Sequence, residues 1–313
     1  MSTDHHWGPR LQLFLKESDY DKYKKSIKKF LSNNLPLTFH GYSTNWSEPD
    51  PNDSNNQFLK PKKSGPVNHR IEIFTVQCYL KQNLGLRSLN VNEIDWFTIP
   101  EEKLLEFTSG KVFFDNSGEL THAREILHYY PDSIWKLRII AQWNRIAQEI
   151  AFVGRIGDLG DELGSRIEAS RLVRYIMQMA FMLAKKFIPY EKWFGIAFSQ
   201  LPIATKLKPI LLDVLKENQW ERREKLLVEA YLLLAREHIQ LGLIPNLEIK
   251  AIKYYNRPQL IIPTQKIIRE LVKGIDARYK DIRYQTFGTI NQFIDSSNLL
   301  DSEISKKYKI FFD

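Results

Sequence analysis

The strongest constraint on the fold is the helical pattern of residues 120–244, which continues almost without a break. Within it, residues 134–152 carry a broad apolar face, and residues 163–187 are apolar on nearly all sides. A helix that is apolar all round is buried among other helices. Two further amphipathic helices are predicted over residues 201–215 and 221–241. The pattern therefore predicts an α-helical bundle of four or five helices, with residues 163–187 at its centre.

The residues before this bundle alternate between strand and helix patterns. Residues 11–15 have the period-two pattern of a strand with a buried face. Residues 69–75 predict another strand, in which Ile71 and Ile73 face the core and Glu72 lies on the opposite face. This alternation indicates a compact α/β or α+β unit. The other predicted elements are a helix over 19–31, a strand over 35–42, a helix over 76–84 ending at Gly85, a short helix after Pro100 and a short strand over 111–115.

These patterns divide the chain into three parts. Residues 1–115 are predicted to form the first unit, and residues 116–255 the helical bundle. Residues 256–313 are predicted to form a C-terminal segment that packs back on the body. It begins with a short strand over 259–262, and a helix with Thr264 as its N-cap follows.

A loop over residues 44–69, rich in Ser, Pro, Asn and Asp, interrupts the first unit. Loops of this length are uncommon as passive connectors, so we expect a mobile or substrate-facing segment. Trp46 lies inside it, either as an anchor of the loop or as an exposed ring that stacks on a base.

Composition is typical of a globular protein, with 43% hydrophobic and 26% charged residues. Cys78 is the single cysteine, so an internal disulfide is excluded, and its apolar surroundings favour a buried residue over a catalytic thiol. Residues 2–6 are polar and show no secretory signal. The most apolar stretches, 176–188 and 226–235, are too short and too charged to cross a bilayer. We therefore expect a cytoplasmic protein with no membrane segment.

The formal net charge of +8 favours phosphate-bearing partners such as nucleotides and nucleic acids. Five lysines cluster in the helix predicted over 19–31, either as a solvated helix face or as a binding patch. No RRM, KH, helix-turn-helix or zinc-finger pattern accompanies them, so no motif supports a nucleic-acid partner. The five are Lys22, Lys24, Lys25, Lys28 and Lys29.

Conventional catalytic motifs are absent from the sequence. It contains no Cys-x-x-Cys, His-Glu-x-x-His, Gly-x-Ser-x-Gly or phosphate-binding glycine loop. Asp4 and His6 share a face of an extended segment, whereas His5 points to the other side. With Glu72 from a neighbouring strand they predict a three-ligand site for a divalent cation. The alternative is a polar cluster on the surface.

Several blocks of the sequence together resemble those of a known protein family. The run from Asp4 to Leu11 resembles the signature Asp-His-Asp-Trp-Gly-Pro-Arg-Leu of a family of predicted nucleotidyltransferases. That family is described as a domain of unknown function and is placed in the DNA polymerase β-like superfamily. The resemblance continues to the C-terminus in the blocks 69–72, 95–98, 141–149, 152–155, 164–166, 189–195 and 292–296.

The resemblance implies an α+β fold, with a nucleotidyltransferase-like mixed sheet followed by an α-helical bundle, similar in layout to kanamycin nucleotidyltransferase-type enzymes. In that superfamily a Gly-Ser turn holds the triphosphate. An Asp-x-Asp pair and a third carboxylate bind Mg²⁺ or Mn²⁺, which prefer hard oxygen ligands. Carried over, Asp4 matches the first aspartate, His6 stands at the second, and Glu72 is the third carboxylate. Asp4 and Glu72 are thereby the implied catalytic residues.

The activity implied by the resemblance is transfer of a nucleotide monophosphate from a nucleoside triphosphate to an unidentified hydroxyl acceptor. Arg10, Tyr190 and Lys192 are then implied contacts to the nucleotide. For Tyr190 and Lys192 the alternative is a packing motif between domains. The resemblance implies no oligomeric state.

Two departures from the family pattern leave two alternatives open. His6 replaces a carboxylate, and a neutral imidazole is a poor Mg²⁺ ligand. The Gly-Ser turn is absent, because Met1 stands three residues before Asp4. We expect either an N-terminally truncated reading frame or a degenerate member of the family. The alternative to a transferase is accordingly a catalytically degenerate nucleotide-binding or protein-interaction module.

Overall fold

The computed structural model describes residues 7–296 and 298–312. This part of the chain divides into two compact units. The first contains residues 7–88 and 113–123, and the second contains residues 89–112 and 124–312. The fold is a mostly helical α+β arrangement, and each sheet among the described residues has two strands. None of the described helices has the length and hydropathy needed to span a bilayer.

The first unit contains a parallel pair of strands joined through a helix. Its elements are β1 (Leu11–Phe14), α1 (Glu17–Asn34), β2 (Thr38–Phe39), β3 (Tyr42–Ser43), β4 (Ile71–Phe74) and α2 (Val76–Tyr79), which continues into a π-helical turn (Leu80–Leu84). β1 pairs with β4 in parallel, so the two strands are neighbours as predicted. A parallel pair needs a long crossover connection, and α1 with the segment after it provides one. Gly85 ends the helical segment with a φ of 66°, also as predicted.

Two predicted strands of the first unit are wrong. Residues 35–42 were expected to form one strand, but the chain reverses at His40 and Gly41, where φ is 48° and 81°. Two positive φ values in a row are the geometry of a type I′ hairpin turn, which here joins β2 to β3. Residues 111–115 form no strand. Asp115 instead uses its carboxylate to accept hydrogen bonds from the backbone of Gly118 and Thr121.

The loop over residues 44–69 is more ordered than its composition suggests. Trp46 is 1% exposed, so it anchors the loop and offers no face for stacking on a base. The Trp46 amide donates to the Asn68 carbonyl at 2.9 Å, and the Lys60 amide donates to the Asn45 carbonyl at 2.9 Å. These hydrogen bonds fold the segment back on itself, against α1 and the start of β4.

The second unit is built around one buried helix. Residues 119–240, all described, contain seven helices rather than the four or five predicted, because six short breaks, four of them with glycine or proline, divide the pattern more finely. The helices up to residue 240 are α3 (Glu93–Thr98), α4 (Glu101–Thr108), α5 (Glu119–Ile126), α6 (Asp132–Glu149), α7 (Phe152–Asp158), α8 (Glu162–Leu183), α9 (Glu191–Phe198), α10 (Ala204–Lys216) and α11 (Trp220–Gln240). The border between the two units falls inside α5. α8 packs against α6, α7, α10 and α11, so the predicted central helix is confirmed.

The C-terminal elements belong to the second unit. They are β5 (Ile252–Lys253), β6 (Leu260–Ile261), α12 (Thr264–Lys273), α13 (Ile282–Phe287), α14 (Ile290–Phe293) and α15 (Ser302–Ser305). β6 falls inside the strand predicted over 259–262 and pairs with β5 in antiparallel fashion. The prediction of Thr264 as an N-cap is wrong: the helix starts at Thr264 itself, after Pro263, and no side chain caps it.

The glycine-rich break between α7 and α8 serves packing and capping. Asp161 caps α8 by accepting a 2.8 Å hydrogen bond from the Gly164 amide. Gly157 is buried where α7 packs against α11, and a Cβ added there would meet the Trp220 Cβ and Cδ1 atoms at 2.6 Å. Real Cβ atoms do not approach other heavy atoms so closely, so the absent side chain is required for this packing.

Gly157→Ala is therefore expected to destabilise the protein by about 1–3 kcal/mol through overpacking. Gly195→Ala is the matched control, because Gly195 lies in α9 with no atom within 4 Å of an added Cβ. At that helical site alanine should stabilise by roughly 0.5–1 kcal/mol. Urea unfolding of both variants measures the difference, and equal effects would contradict the packing at Trp220.

Candidate functional site

Glu72 is the predicted catalytic residue whose surroundings the structure describes. The register of β1 and β4 places Gln12 directly beside Glu72. The Gln12 amide nitrogen lies 3.4 Å from Glu72 Oε2, and a guanidinium nitrogen of Arg10 lies 3.5 Å from the same oxygen. The Glu72 side chain is 40% exposed, so a ligand in solution can reach it. One carboxylate, one amide and one guanidinium thus converge at this edge of the strand pair.

The approach to β1 is held in place by close packing. The Trp7 ring makes an edge contact with Tyr42 at a centroid distance of 4.7 Å. A Cβ on Gly8 would lie 2.6 Å from Leu59 Cδ2 and 2.8 Å from the Trp46 ring, so only glycine fits there. This packing fixes the direction in which the chain enters β1 and, with it, the position of Arg10.

The electrostatic surroundings of Glu72 are cationic. Arg70, just before β4, packs its guanidinium over the Trp46 ring at 5.5 Å. Partial burial lowers the pKa of Arg70, and the nearby charge of Arg10 lowers it further, while Glu72 acts in the opposite direction. Two guanidinium groups beside one carboxylate form a local environment that favours an added anion.

The predicted metal site is not assembled from the residues that the structure describes. Asp4 and His6 lie outside the described residues. Within residues 7–296 and 298–312, no group of three or more His, Cys, Asp or Glu side chains is arranged to hold a metal ion. Of the predicted ligands, Glu72 alone has a described position, and its neighbours are nitrogen donors rather than further carboxylates.

Tyr190 and Lys192 belong to the second unit. Tyr190 precedes α9, is 51% exposed, and lines a small cleft of about 100 Å³. Arg174 and Glu191 form a two-point ion pair in the same cleft. Lys192 is exposed on α9, and in the described chain its ammonium makes no hydrogen bond or ion pair. Arg10 and Glu72 belong to the first unit, whereas Tyr190 and Lys192 belong to the second.

A partly buried pair of carboxyl groups in the second unit is a candidate site that the sequence analysis does not identify. Glu149 on α6 and Glu168 on α8 lie close enough to interact, and each has a buried carboxyl oxygen without a donor in the described chain. Burial, reinforced by the Glu149 charge, raises the pKa of Glu168 to about 7. A hydrogen bond between two carboxyl groups requires one of them to be protonated, which matches that raised pKa. Arg171 approaches from the open side and pairs with Glu149 at 2.9 Å.

The sequence signal for this pair was the polar stripe on α6. Arg138, Gln142, Arg145 and Glu149 recur at helical spacing on a helix that is otherwise apolar. Polar residues on the inner face of a buried helix must find partners, so the stripe indicates a polar network. Its partners on α8 come from distant sequence and could not be assigned from periodicity.

The raised pKa of Glu168 predicts a pH-dependent stability. The folded state keeps a proton that the unfolded state releases between about pH 4.5 and about pH 7, so this group makes stability fall as pH rises through that interval. Glu224, also raised to about 7 by burial, acts in the same direction. His238 acts in the opposite direction, because burial lowers its pKa to about 4.

Glu168→Gln is expected to weaken the fall in stability between about pH 5 and about pH 8, because the glutamine amide donates to Glu149 at every pH. Urea unfolding at both pH values measures the change. Glu229→Gln, at an exposed position of α11, is the control and should keep the wild-type pH dependence. An unchanged pH dependence in Glu168→Gln would contradict the shared proton.

A second buried polar network ties two helices of the second unit to three loop positions. Arg138 on α6 pairs with Glu101 on α4, and both side chains are fully buried. Arg138 also donates to the Tyr129 hydroxyl at 3.1 Å and to the Thr289 hydroxyl at 3.1 Å. The second Glu101 oxygen accepts the Ile188 amide at 3.0 Å. Through the Ile188 amide, this network connects the loop before α9 to α4 and α6.

Comparison with family models finds a similarity over part of the chain. A family model described as a domain of unknown function (DUF4037) matches residues 96–194. That span contains the Arg138–Glu101 pair, the Glu149–Glu168 pair and the block with Tyr190 and Lys192, but it begins after Glu72. Searches of curated proteins and of solved structures each found no match. The chain is therefore similar to a family of unknown function over about the middle third of its length.

Proposed function

We propose that the chain is a nucleotidyltransferase, which transfers a nucleotide monophosphate from a nucleoside triphosphate to a hydroxyl acceptor. The observation that carries the proposal is the register of β1 and β4, which brings Arg10 and Gln12 to Glu72. An exposed carboxylate flanked by guanidinium and amide donors can bind a phosphate group and a divalent cation together. The signature around residues 4–11 supports the same proposal.

The site offers Mg²⁺ one described carboxylate ligand, Glu72. It is commonly bound by one or two carboxylates together with the oxygens of substrate phosphates. Glu72 is one exposed carboxylate of this kind, and Asp4 is the proposed second. When bound with the nucleotide, Mg²⁺ or Mn²⁺ would neutralise charge on the phosphates. His6, a neutral nitrogen donor where the family has a carboxylate, is the least suitable of the proposed ligands.

In this proposal the side chains around Glu72 have different roles. Arg10 and Arg70 bind phosphate oxygens, and Gln12 orients the Glu72 carboxylate. The acceptor oxygen forms a new bond to the α-phosphorus, the bond to the β-phosphate breaks, and pyrophosphate leaves. The hydroxyl proton passes to a carboxylate of the site. For Tyr190 and Lys192, which belong to the second unit, contact with the nucleotide stays a prediction from the resemblance.

A nucleotide-binding module without catalysis is the second candidate. The contact that favours it is the one between Arg10 and Glu72 at 3.5 Å, which already engages the carboxylate that a cation needs. If this pair persists when nucleotide binds, the guanidinium groups bind phosphate, but the Glu72 carboxylate does not bind a cation.

The two candidates differ in the fate of the α-phosphate. Purified protein is incubated with Mg²⁺ and each of the four nucleoside triphosphates, labelled at the α-position or at the γ-position. A transferase places the α-label on an acceptor and releases the γ-label in pyrophosphate, and Asp4→Asn should prevent both. Nucleotide that stays bound without pyrophosphate release supports the second candidate instead. Transfer of the γ-label would contradict both.

A further inference from the structure

A groove in the first unit is lined by lysines. It has a volume of about 760 Å³ and runs between one face of α1 and the folded loop that follows β3. Lys25, Lys28 and Lys29 line it from α1, and Lys60 and Lys62 line it from the loop. Lysines therefore line a shared space from two sides.

Positive charge in this groove is poorly compensated. Glu48 is the one acidic residue in its lining. Among the residues that the structure describes, neither the three α1 lysines nor Lys60 forms an ion pair, and Lys62 donates to the Pro66 carbonyl. Like charges held close together repel one another, so the arrangement is most favourable when an anion occupies the groove.

The helix α1 has no fully buried residue. Exposed lysines on such a helix could lie on any face. Lys25 and Lys29 are one helical turn apart, about 6 Å along the axis. Lys60 and Lys62 are two residues apart on the loop, a span of at most about 7 Å. Several cations on each wall of the groove match a repeating anion better than a single phosphate.

The walls of the groove are tied together before any ligand binds. His69 accepts the Ile71 amide at 3.1 Å through Nδ1, so its Nε2 carries the proton and donates to the Lys28 carbonyl at 3.2 Å. On the loop side, the Asn45 amide nitrogen donates to the Lys60 carbonyl at 2.9 Å. A preformed groove loses less entropy on binding than a flexible segment.

We propose that this groove binds single-stranded nucleic acid through its phosphates. Positively charged grooves that follow the backbone are the usual means of binding single strands. Trp46, which lines the groove, is 1% exposed and cannot stack on a base, so binding should depend little on sequence. The proposal does not rest on nucleotide transfer, because no residue of the Glu72 site takes part.

The test is fluorescence anisotropy with the full chain and labelled uridine or thymidine strands of about 20 nucleotides. Lys25→Glu/Lys29→Glu reverses two charges inside the groove. Lys22→Glu/Lys24→Glu reverses two charges on the same helix at positions that do not line it, with the same change in net charge. Circular dichroism checks that both variants keep the fold.

The groove variant is expected to bind at least 10-fold more weakly than wild type. Its slope of log affinity against log salt should fall by about 1.4, the value for two lost phosphate contacts on a single strand. The control variant should lose no more than about threefold. Binding of the uridine strand, the thymidine strand or both supports the proposal and identifies the kind of strand.

Three results would overturn the proposal. The first is no binding of either strand by the wild type at low salt. The second is equal weakening in the two variants, which is the result of net charge alone. The third is binding of inorganic polyphosphate or a duplex without binding of single strands, since that assigns the groove to a different anion.

Discussion

Arg138→Met should lower the free energy of unfolding by about 3–5 kcal/mol, because it leaves the buried Glu101 carboxylate without its cation. Both side chains are 0% exposed, so water cannot replace the lost partner. Burial raises the pKa of Glu101, and the charge of Arg138 opposes that rise. Removing Arg138 removes this opposition, so Glu101 either stays charged at high cost or takes up a proton.

The matching double variant separates the ion pair from the packing. Glu101→Leu/Arg138→Met removes both charges and is expected to recover part of the loss: apolar residues of similar volume often replace a buried ion pair at little cost, but the buried Ile188 amide loses its acceptor. Lys273→Met is the control, because its pair with Glu270 at 2.7 Å is on the surface and should contribute less than about 1 kcal/mol. Urea unfolding measures all three. A loss below about 1 kcal/mol for Arg138→Met would contradict the buried network.

Glu72→Gln should reduce nucleotide transfer by at least about 100-fold, the usual effect of removing one group that stabilises charge in the transition state. The amide keeps the size of the side chain and still accepts hydrogen bonds from Gln12, but it carries no negative charge for a cation. The fold should be unaffected, because the exposed contact with Arg10 contributes at most about 1 kcal/mol. Loss of activity can therefore be separated from loss of structure.

Glu17→Gln is the matched control for this prediction. Glu17 is an exposed carboxylate at the start of α1, three residues after β1, and it lies outside the proposed site. It should retain wild-type transfer in the same assay of α-label incorporation. Full activity of Glu72→Gln at saturating Mg²⁺ would remove Glu72 from the proposed mechanism. A parallel loss in both variants would indicate a general effect of surface charge.

Periodicity predicted the parts of the fold in which one residue pattern dominates. The apolar helix predicted over 163–187 and the strands predicted over 11–15 and 69–75 needed only local sequence to be recognised, and they correspond to α8, β1 and β4. The sequence did not predict the turn at His40 and Gly41, because either residue alone is compatible with a strand. The backbone reversal depends on both having positive φ.

The polar networks could not be predicted because their partners are distant in sequence. Arg138 and Glu101 are separated by 37 positions, and Thr289 lies 151 positions from Arg138. Helical spacing shows that Arg138 lies on a polar stripe, but it does not identify which carboxylate meets it. The groove could not be predicted for the same reason. The sequence shows the lysines of α1, but only the folding of the loop brings Lys60 and Lys62 to the same groove.

Nucleotide binding is the most direct test of the central claim, that Arg10 and Glu72 belong to a nucleotide site. Isothermal titration with each nucleoside triphosphate, with and without Mg²⁺, is performed on wild type, Arg10→Ala and Glu72→Gln. We expect Mg²⁺-dependent binding to wild type with a dissociation constant between about 1 μM and 1 mM, and weaker binding to both variants. If wild type binds none of the four nucleotides with Mg²⁺ or Mn²⁺, the transferase and the nucleotide-binding module are both contradicted.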